Sequence, residues 1–181
     1  MNTCAGDNEA LQAGVSIYRD PSTGELVELD DPIEIYLTQS QLQSLPIETG
    51  AVHVAGWSGQ WLIHYPMPVH SDAAAHTLTT TVLGVPVEVR VTPVEFRWDY
   101  GHDVEPLVTS VAGAAYPDHV VEAAWTTAGE GRTVTATTQW QGEFRVQGFD
   151  TWLPVNGTAS TTTVSDPVEV IEAPARLVPN P

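Results

Sequence analysis

Val94-Glu95-Phe96-Arg97-Trp98-Asp99-Tyr100-Gly101-His102-Asp103 is the stretch on which the reading of this chain turns. Side chains of an extended strand alternate between two faces. Val94, Phe96, Trp98 and Tyr100 therefore share one face, and Glu95, Arg97 and Asp99 the other. Gly101 ends the run where a turn can use positive φ. The pattern predicts a half-buried strand with large aromatic anchors running into a turn. It points to a small β-sandwich and not to a reaction.

The same periodicity extends on both sides. Val85, Val87, Val89 and Val91 alternate with Glu88, Arg90 and Thr92, which predicts an antiparallel strand with one buried face. A Thr-rich strand over residues 77–82 precedes it, joined by a turn at Leu83-Gly84. The aromatic strand is expected to start afresh after Pro93. Residues 107–111 suit a further short strand. Val134, Ala136, Thr138 and Trp140 lie on one side of a strong strand over residues 133–140. Gln141-Gly142 is expected to turn it into Phe144-Arg145-Val146. A second turn runs through Gly148 and Asp150 to Trp152, Asn156-Gly157 signals a hairpin, and the last strand lies within residues 158–171.

The N-terminal half is less regular. Residues 15–18 and 26–29 suit a weak hairpin around Asp20-Pro21-Ser22-Thr23-Gly24, or a disordered lead. Residues 38–45 are the one helical candidate, with Thr38 as cap. Trp61, Ile63 and Tyr65 alternate as a strand that Pro66 and Pro68 end or push to a sheet edge. Many short strands rich in Thr and Val predict an all-β chain, an antiparallel β-sandwich with an irregular N-terminal extension. The expected organisation is a flexible acidic segment over 1–31, an irregular segment over 32–75 packing on the sandwich, the sandwich over 76–173 and a tail over 174–181.

The chain has 181 residues, enough for one domain of usual size, and is 42% hydrophobic. Its 23 acidic residues face six basic ones, all Arg, for a net charge of −17. Nucleic-acid binding needs clustered cations, so this balance argues against it. It argues equally against an anionic lipid surface. No run reaches the length of a transmembrane helix, so no membrane insertion is expected. Cys4 is the single cysteine, which rules out an internal disulfide. Thr3-Cys4-Ala5-Gly6 invites a lipoprotein reading, but Met1, Asn2 and Thr3 carry none of the apolar stretch of a signal peptide, so without a segment upstream Cys4 is expected to be a free thiol in a mobile tail of a soluble chain.

Phe96-Arg97-Trp98-Asp99-Tyr100-Gly101 resembles the first part of the aromatic-Asp-aromatic-Gly-Asp-Gly signature of the PKD (polycystic kidney disease) domain, an Ig-like β-sandwich. His119, Trp125, Gly129 and Thr133-Val134-Thr135 resemble that family's later His-x-Tyr, Gly and Tyr-Thr-Val-Thr segments. The chain as a whole looks like secreted or surface-associated actinobacterial proteins with a PKD-like domain. It departs from the pattern where His102 and Asp103 replace the second Asp-Gly, where Trp125 displaces the aromatic expected near His119, and where Arg132 replaces a Tyr. The resemblance implies an Ig-like fold and an extracellular or cell-surface, non-catalytic module for adhesion, spacing, or protein or glycan binding. The alternative is a structural component of a phage or surface appendage, and a lesser one is a calcium-binding module.

Candidate chemistry is sparse. Asp99, Asp103 and Glu105 crowd one turn with His102 and offer hard oxygens to calcium. The simpler role for Asp99 is to hydrogen-bond turn amides. His53, His64, His70 and His76 fall close together, but their spacing is not that of a zinc site, and solvent-facing or hydrogen-bonded rings are expected. Ser58 lacks the Gly-x-Ser-x-Gly elbow, and among so many acids a carboxylate pair carries no signal. The expectation is therefore no enzyme and no cofactor. Trp98 and Trp140 lie on apolar faces and belong in a core. Trp57 and Trp152 are the candidates for an exposed platform on which a sugar ring stacks.

Overall fold

The computed structural model describes residues 15–19, 23, 26–27, 33–54, 59–101 and 104–173. Its elements are β1 (Val15–Arg19), β2 (Leu26–Val27), β3 (Ile33–Ile35), α1 (Gln39–Ser44), β4 (Val52–Val54), β5 (Gln60–Leu62), β6 (Met67–Ser71) and β7 (His76–Val82). They continue with β8 (Val85–Asp99), β9 (Leu107–Thr109), β10 (Glu122–Ala123), β11 (Gly129–Arg132), β12 (Thr135–Val146), β13 (Leu153–Val164) and β14 (Val168–Ile171). The described chain is all-β apart from one short helix. Three three-stranded sheets have the orders β2-β1-β3, β10-β6-β4 and β11-β14-β5. A five-stranded sheet has the order β13-β12-β8-β7, with β9 also on β8.

The chain forms two compact units. One comprises Met1–Leu45, Thr77–Val91 and Gly142–Thr158; the other comprises Pro46–His76, Thr92–Gln141 and Ala159–Pro181. In the first, Ile35, Leu42, Val87, Val89, Val91, Phe144 and Val146 are buried. In the second, the buried set includes Trp61, Trp98, Tyr100, Trp125 and Trp140. A buried indole N–H usually finds an acceptor; that of Trp61 has none among the described residues, whereas the other three do. Trp98 donates to Thr109 Oγ1, Trp125 to the Tyr100 carbonyl and Trp140 to Thr161 Oγ1.

Local signals are realised where they are self-contained. β1 pairs antiparallel with β2, Tyr18 opposite Val27, which is the expected hairpin. In α1, Thr38 Oγ1 accepts from the Gln41 amide while the Gln41 side chain accepts from the Thr38 amide, a reciprocal capping box. Such a cap stabilises a helix by about 1 kcal/mol. Leu83 and Gly84 both take positive φ, 51° and 81°, the geometry of a tight turn between twisted strands.

Several expectations need correction. No new strand begins after Pro93: β8 runs unbroken from Val85 to Asp99. Its burial changes phase on the way. Odd positions Val87, Val89 and Val91 are buried first, then even positions Phe96 and Trp98. Val94 falls in the crossover and is 37% exposed, so it does not share the buried aromatic face. The change coincides with the division between the two units at Val91 and Thr92.

Gln141-Gly142 and Asn156-Gly157 are not turns. β12 and β13 pass straight through them. Gly142 makes room for Leu42 of α1, whereas Gly157 takes φ +88°, which favours glycine, with the Gln39 side chain of α1 beside it. A Cβ on Gly142 would lie 2.8 Å from Leu42 Cδ1, and one on Gly157 2.6 Å from Gln39 Cδ. Glycine inside a strand marks close approach by another element as readily as a turn.

The prolines after Tyr65 do not end strand structure either. Pro68 lies inside β6, opposite Glu122 of the two-residue β10. Pairing is not antiparallel throughout, because β14 runs parallel to β5, with Val170 opposite Trp61. The long stretch of chain between β5 and β14 supplies the crossover a parallel pair requires.

Candidate functional site

β4 and β6 are short antiparallel partners, and their register places His53 directly opposite His70. Directly opposed residues project to the same face of a sheet. Apolar residues flank each imidazole in sequence: Val52 and Val54 around His53, Val69 before His70. Val52 and Val69 are buried, so the two histidines occupy the outer face. Their rings stack with centroids 4.8 Å apart and planes 22° from parallel.

Asp72 lies two residues beyond His70 and extends the ladder, its amide donating to the Ala51 carbonyl at 3.0 Å. Its carboxylate Oδ2 is 2.6 Å from His53 Nε2. One ligand atom from each of His53, His70 and Asp72 lies within 4.8 Å of the others, and this is the group of three metal-ligating side chains found among the described residues.

The segment around Gly113 fixes one side of this cluster. The Ser71 amide donates to the Ala112 carbonyl at 2.8 Å. Gly113 has φ +74°, and a Cβ there would lie 2.4 Å from the Val69 carbonyl oxygen and 3.1 Å from His70 Cα. Only glycine allows that approach. His70 is half-buried as a result, and its Nδ1 is buried with no hydrogen-bond partner among the described residues. Burial lowers the pKa of His70 below the usual 6.5, and the nearby His53 adds to the effect, while Asp72 opposes it. Burial therefore favours the neutral ring, the form whose lone pair can act as a ligand.

No protein-family model, curated protein or solved structure matches this chain.

The loop that covers His70 has a second property. It is tied to β6 at both ends, by the Ser71 bond to Ala112 and by the Val69 amide donating to the Val121 carbonyl at 3.0 Å. Between these ties it exposes Tyr116 (76%) and Val120 (69%) to solvent. Tyr116 stacks on His119, centroids 5.7 Å apart, and His119 Nε2 lies 3.5 Å from Glu122.

The residues singled out from sequence fall as follows. Asp99 Oδ1 accepts from the Gly101 amide at 2.8 Å, a turn-forming contact. Gly101 takes φ +65°. Glu105 is exposed, and Asp103 lies outside the described residues along with His102. Phe96, Trp98, Tyr100 and Trp125 are all buried. Phe96 stacks on Trp98, and Trp125 meets both Trp61 and Tyr100 edge-on. Gly129 opens β11, where a Cβ would press on the Arg132 guanidinium at 2.8 Å. Trp57 lies outside the described residues. Trp152 carries two guanidinium groups over its ring, Arg90 at 4.6 Å and Arg145 at 4.7 Å.

The four-histidine cluster divides. His76 is committed elsewhere, its Nε2 accepting from the Glu48 amide and its Nδ1 2.9 Å from the Ala74 carbonyl. His64 sits in a turn at φ 60°. His53 and His70 meet, which sequence reasoning missed. The available signal was the apolar-His-apolar alternation of Val52-His53-Val54, together with Val69-His70 and Asp72 two positions on. Among the described residues, no helix is long and apolar enough to cross a membrane.

Proposed function

We propose that this chain is a non-catalytic binding module, an Ig-like, PKD-like β-sandwich secreted or displayed at a cell surface, which recognises a protein or glycan through the loop over residues 112–121. The observation that carries this reading is the exposure of Tyr116 and Val120 on a loop whose two ends are hydrogen-bonded to β6. Exposed aromatic and aliphatic side chains on an anchored loop lose little entropy when a partner covers them, and aromatic side chains dominate binding hot spots. The strongly acidic composition keeps such a module soluble while it presents an apolar contact. The resemblance of Phe96-Arg97-Trp98-Asp99-Tyr100-Gly101 to the PKD signature supports the extracellular setting.

The test is retention of labelled protein on a glycan array and on surface preparations of the native host, with Tyr116→Ala/Val120→Ser as the comparison. Both substitutions are at exposed positions, so the melting temperature is expected to stay at the parent value. Saturable binding by the parent, weakened about 30-fold in the double variant, supports the reading. Loss of binding after protease treatment of the surface assigns a protein ligand, and loss after periodate a glycan. Equal binding by parent and variant, or none by the parent, overturns it.

A further inference from the structure

We propose that His53, His70 and Asp72 form a site for a divalent first-row transition ion of the zinc class, with a further coordination position open to water. The donor set selects the ion. Two imidazoles and one carboxylate suit zinc and its neighbours, whereas calcium and magnesium take shells of oxygen ligands. Three protein ligands with an open fourth position is a common zinc arrangement.

The backbone already supplies the placement. His53 and His70 are register partners, and the Asp72 amide holds the next rung on Ala51. Zinc bonds to nitrogen and oxygen of about 2.0–2.2 Å put ligand atoms about 3.4 Å apart in a tetrahedron. The close pair, His53 Nε2 and Asp72 Oδ2 at 2.6 Å, must open slightly, and the widest separation, at most 4.8 Å, must contract. Both adjustments fall to His53 and Asp72, which are exposed and able to rotate. His70 is the fixed member, pressed by the backbone at Gly113. One rigid ligand and two adaptable ones can close on an ion without moving either strand. Asp72 offsets part of the ion's charge, and the net charge of −17 raises the local concentration of cations.

This proposal does not rest on the reading of the loop as a partner-binding surface, and its test needs no partner. The full chain is stripped of metal and titrated with ZnCl₂ by calorimetry against a competing chelator, in the parent and in a Cys4→Ser background that removes the thiol as a rival ligand. The expected result is one equivalent bound in both, with a raised melting temperature. His53→Ala and His70→Ala are expected to weaken binding by about 100-fold or more, and Asp72→Asn by about tenfold. His76→Ala should bind as the parent does, and calcium or magnesium should leave the melting temperature unchanged. Ring ¹⁵N resonances of His53 and His70 should shift on zinc addition, and those of His64 and His76 should not. If His70→Ala does not fold, the exposed substitutions His53→Ala and Asp72→Asn decide. Absence of saturable binding, or undiminished binding in both of those variants, overturns the assignment.

Discussion

Leu42 Cδ1 lies 2.8 Å from the point that a Cβ on Gly142 would occupy. Leu42 is the buried residue of α1, and Val155 Cγ2 is 3.3 Å from the same point. The added methyl group of Gly142→Ala has no free volume, and overpacking a filled site costs about 1–3 kcal/mol. Gly142→Ala is expected to lower stability by that amount in urea denaturation. Leu42→Ala should be destabilising alone, and the double variant should be less so than the sum of the two. Strict additivity would mean that the two residues do not share this space.

That contact shows where the sequence stopped being readable. The α1 cap was legible because Thr38 and Gln41 interact within one turn. The buried faces at Val87, Val89 and Val91 and at Val134, Ala136 and Trp140 were legible because period two is a local property. Gly142 reads as a turn because nothing near it in sequence reveals that Leu42 of α1 packs on its strand, and Gly157 because its positive φ, which a turn would also use, falls inside a strand. The meeting of His53 and His70 depends on the register between two short strands, one of them hidden by Pro66 and Pro68. Register is set by tertiary packing, and a shift of one residue would send the two side chains to opposite faces.

Asp99 offers a test of the turn that follows the aromatic strand. Its Oδ1 accepts from the Gly101 amide, a contact an Asn side chain can reproduce and Ala cannot. Asp99→Asn is expected to be near neutral and Asp99→Ala to cost about 0.5–1.5 kcal/mol. The difference between the two should be the same in excess calcium and in excess chelator. A calcium-dependent difference would assign the carboxylate to an ion instead.

Trp152 reports on a different kind of surface. The guanidinium groups over its ring also pair with carboxylates, Arg90 with Glu143 and Arg145 with Glu88, each at 2.6 Å. These ion pairs are partly exposed, so each contributes only about 0.2–1 kcal/mol and weakens with salt. Trp152→Ala removes the cation–π contacts and the apolar cover over the two arginine stems, for an expected loss of about 1–2 kcal/mol. Trp152→Phe should restore part of it. A sugar platform at this ring would instead leave stability unchanged and abolish glycan retention.

Tyr100 is buried, and its hydroxyl has no hydrogen-bond partner among the described residues. Burial raises its pKa well above the ordinary 10, and the charge of Glu122 adds to the shift. Replacing an unsatisfied buried hydroxyl removes a desolvation cost, so Tyr100→Phe is expected to be neutral or stabilising by up to about 1 kcal/mol. The two proteins should diverge further at high pH. The unfolded parent loses its phenolic proton near pH 10 while the folded one retains it, so parental stability falls as pH rises past 10. The variant, with no phenol at this position, escapes that decline. A destabilised variant would reveal a partner for the hydroxyl.

His70 sets the opposite dependence at mild acid. Burial of the ring, reinforced by His53 and opposed by Asp72, holds its folded pKa below 6.5. In the unfolded chain the ring titrates at about 6.5. Between those values the unfolded state binds more protons, so stability falls as pH is lowered. The contribution is fully present above about pH 6.5 and is lost once pH passes below the folded value. Urea denaturation between about pH 8 and pH 5 should show this decline, and His70→Gln should lose the part that belongs to this ring. Asp72→Asn removes the one neighbour that favours the charged ring. It should therefore lower the His70 pKa further, read by ring NMR, and widen the pH interval over which stability is lost. A pKa that rises in Asp72→Asn would show that the carboxylate does not act on His70.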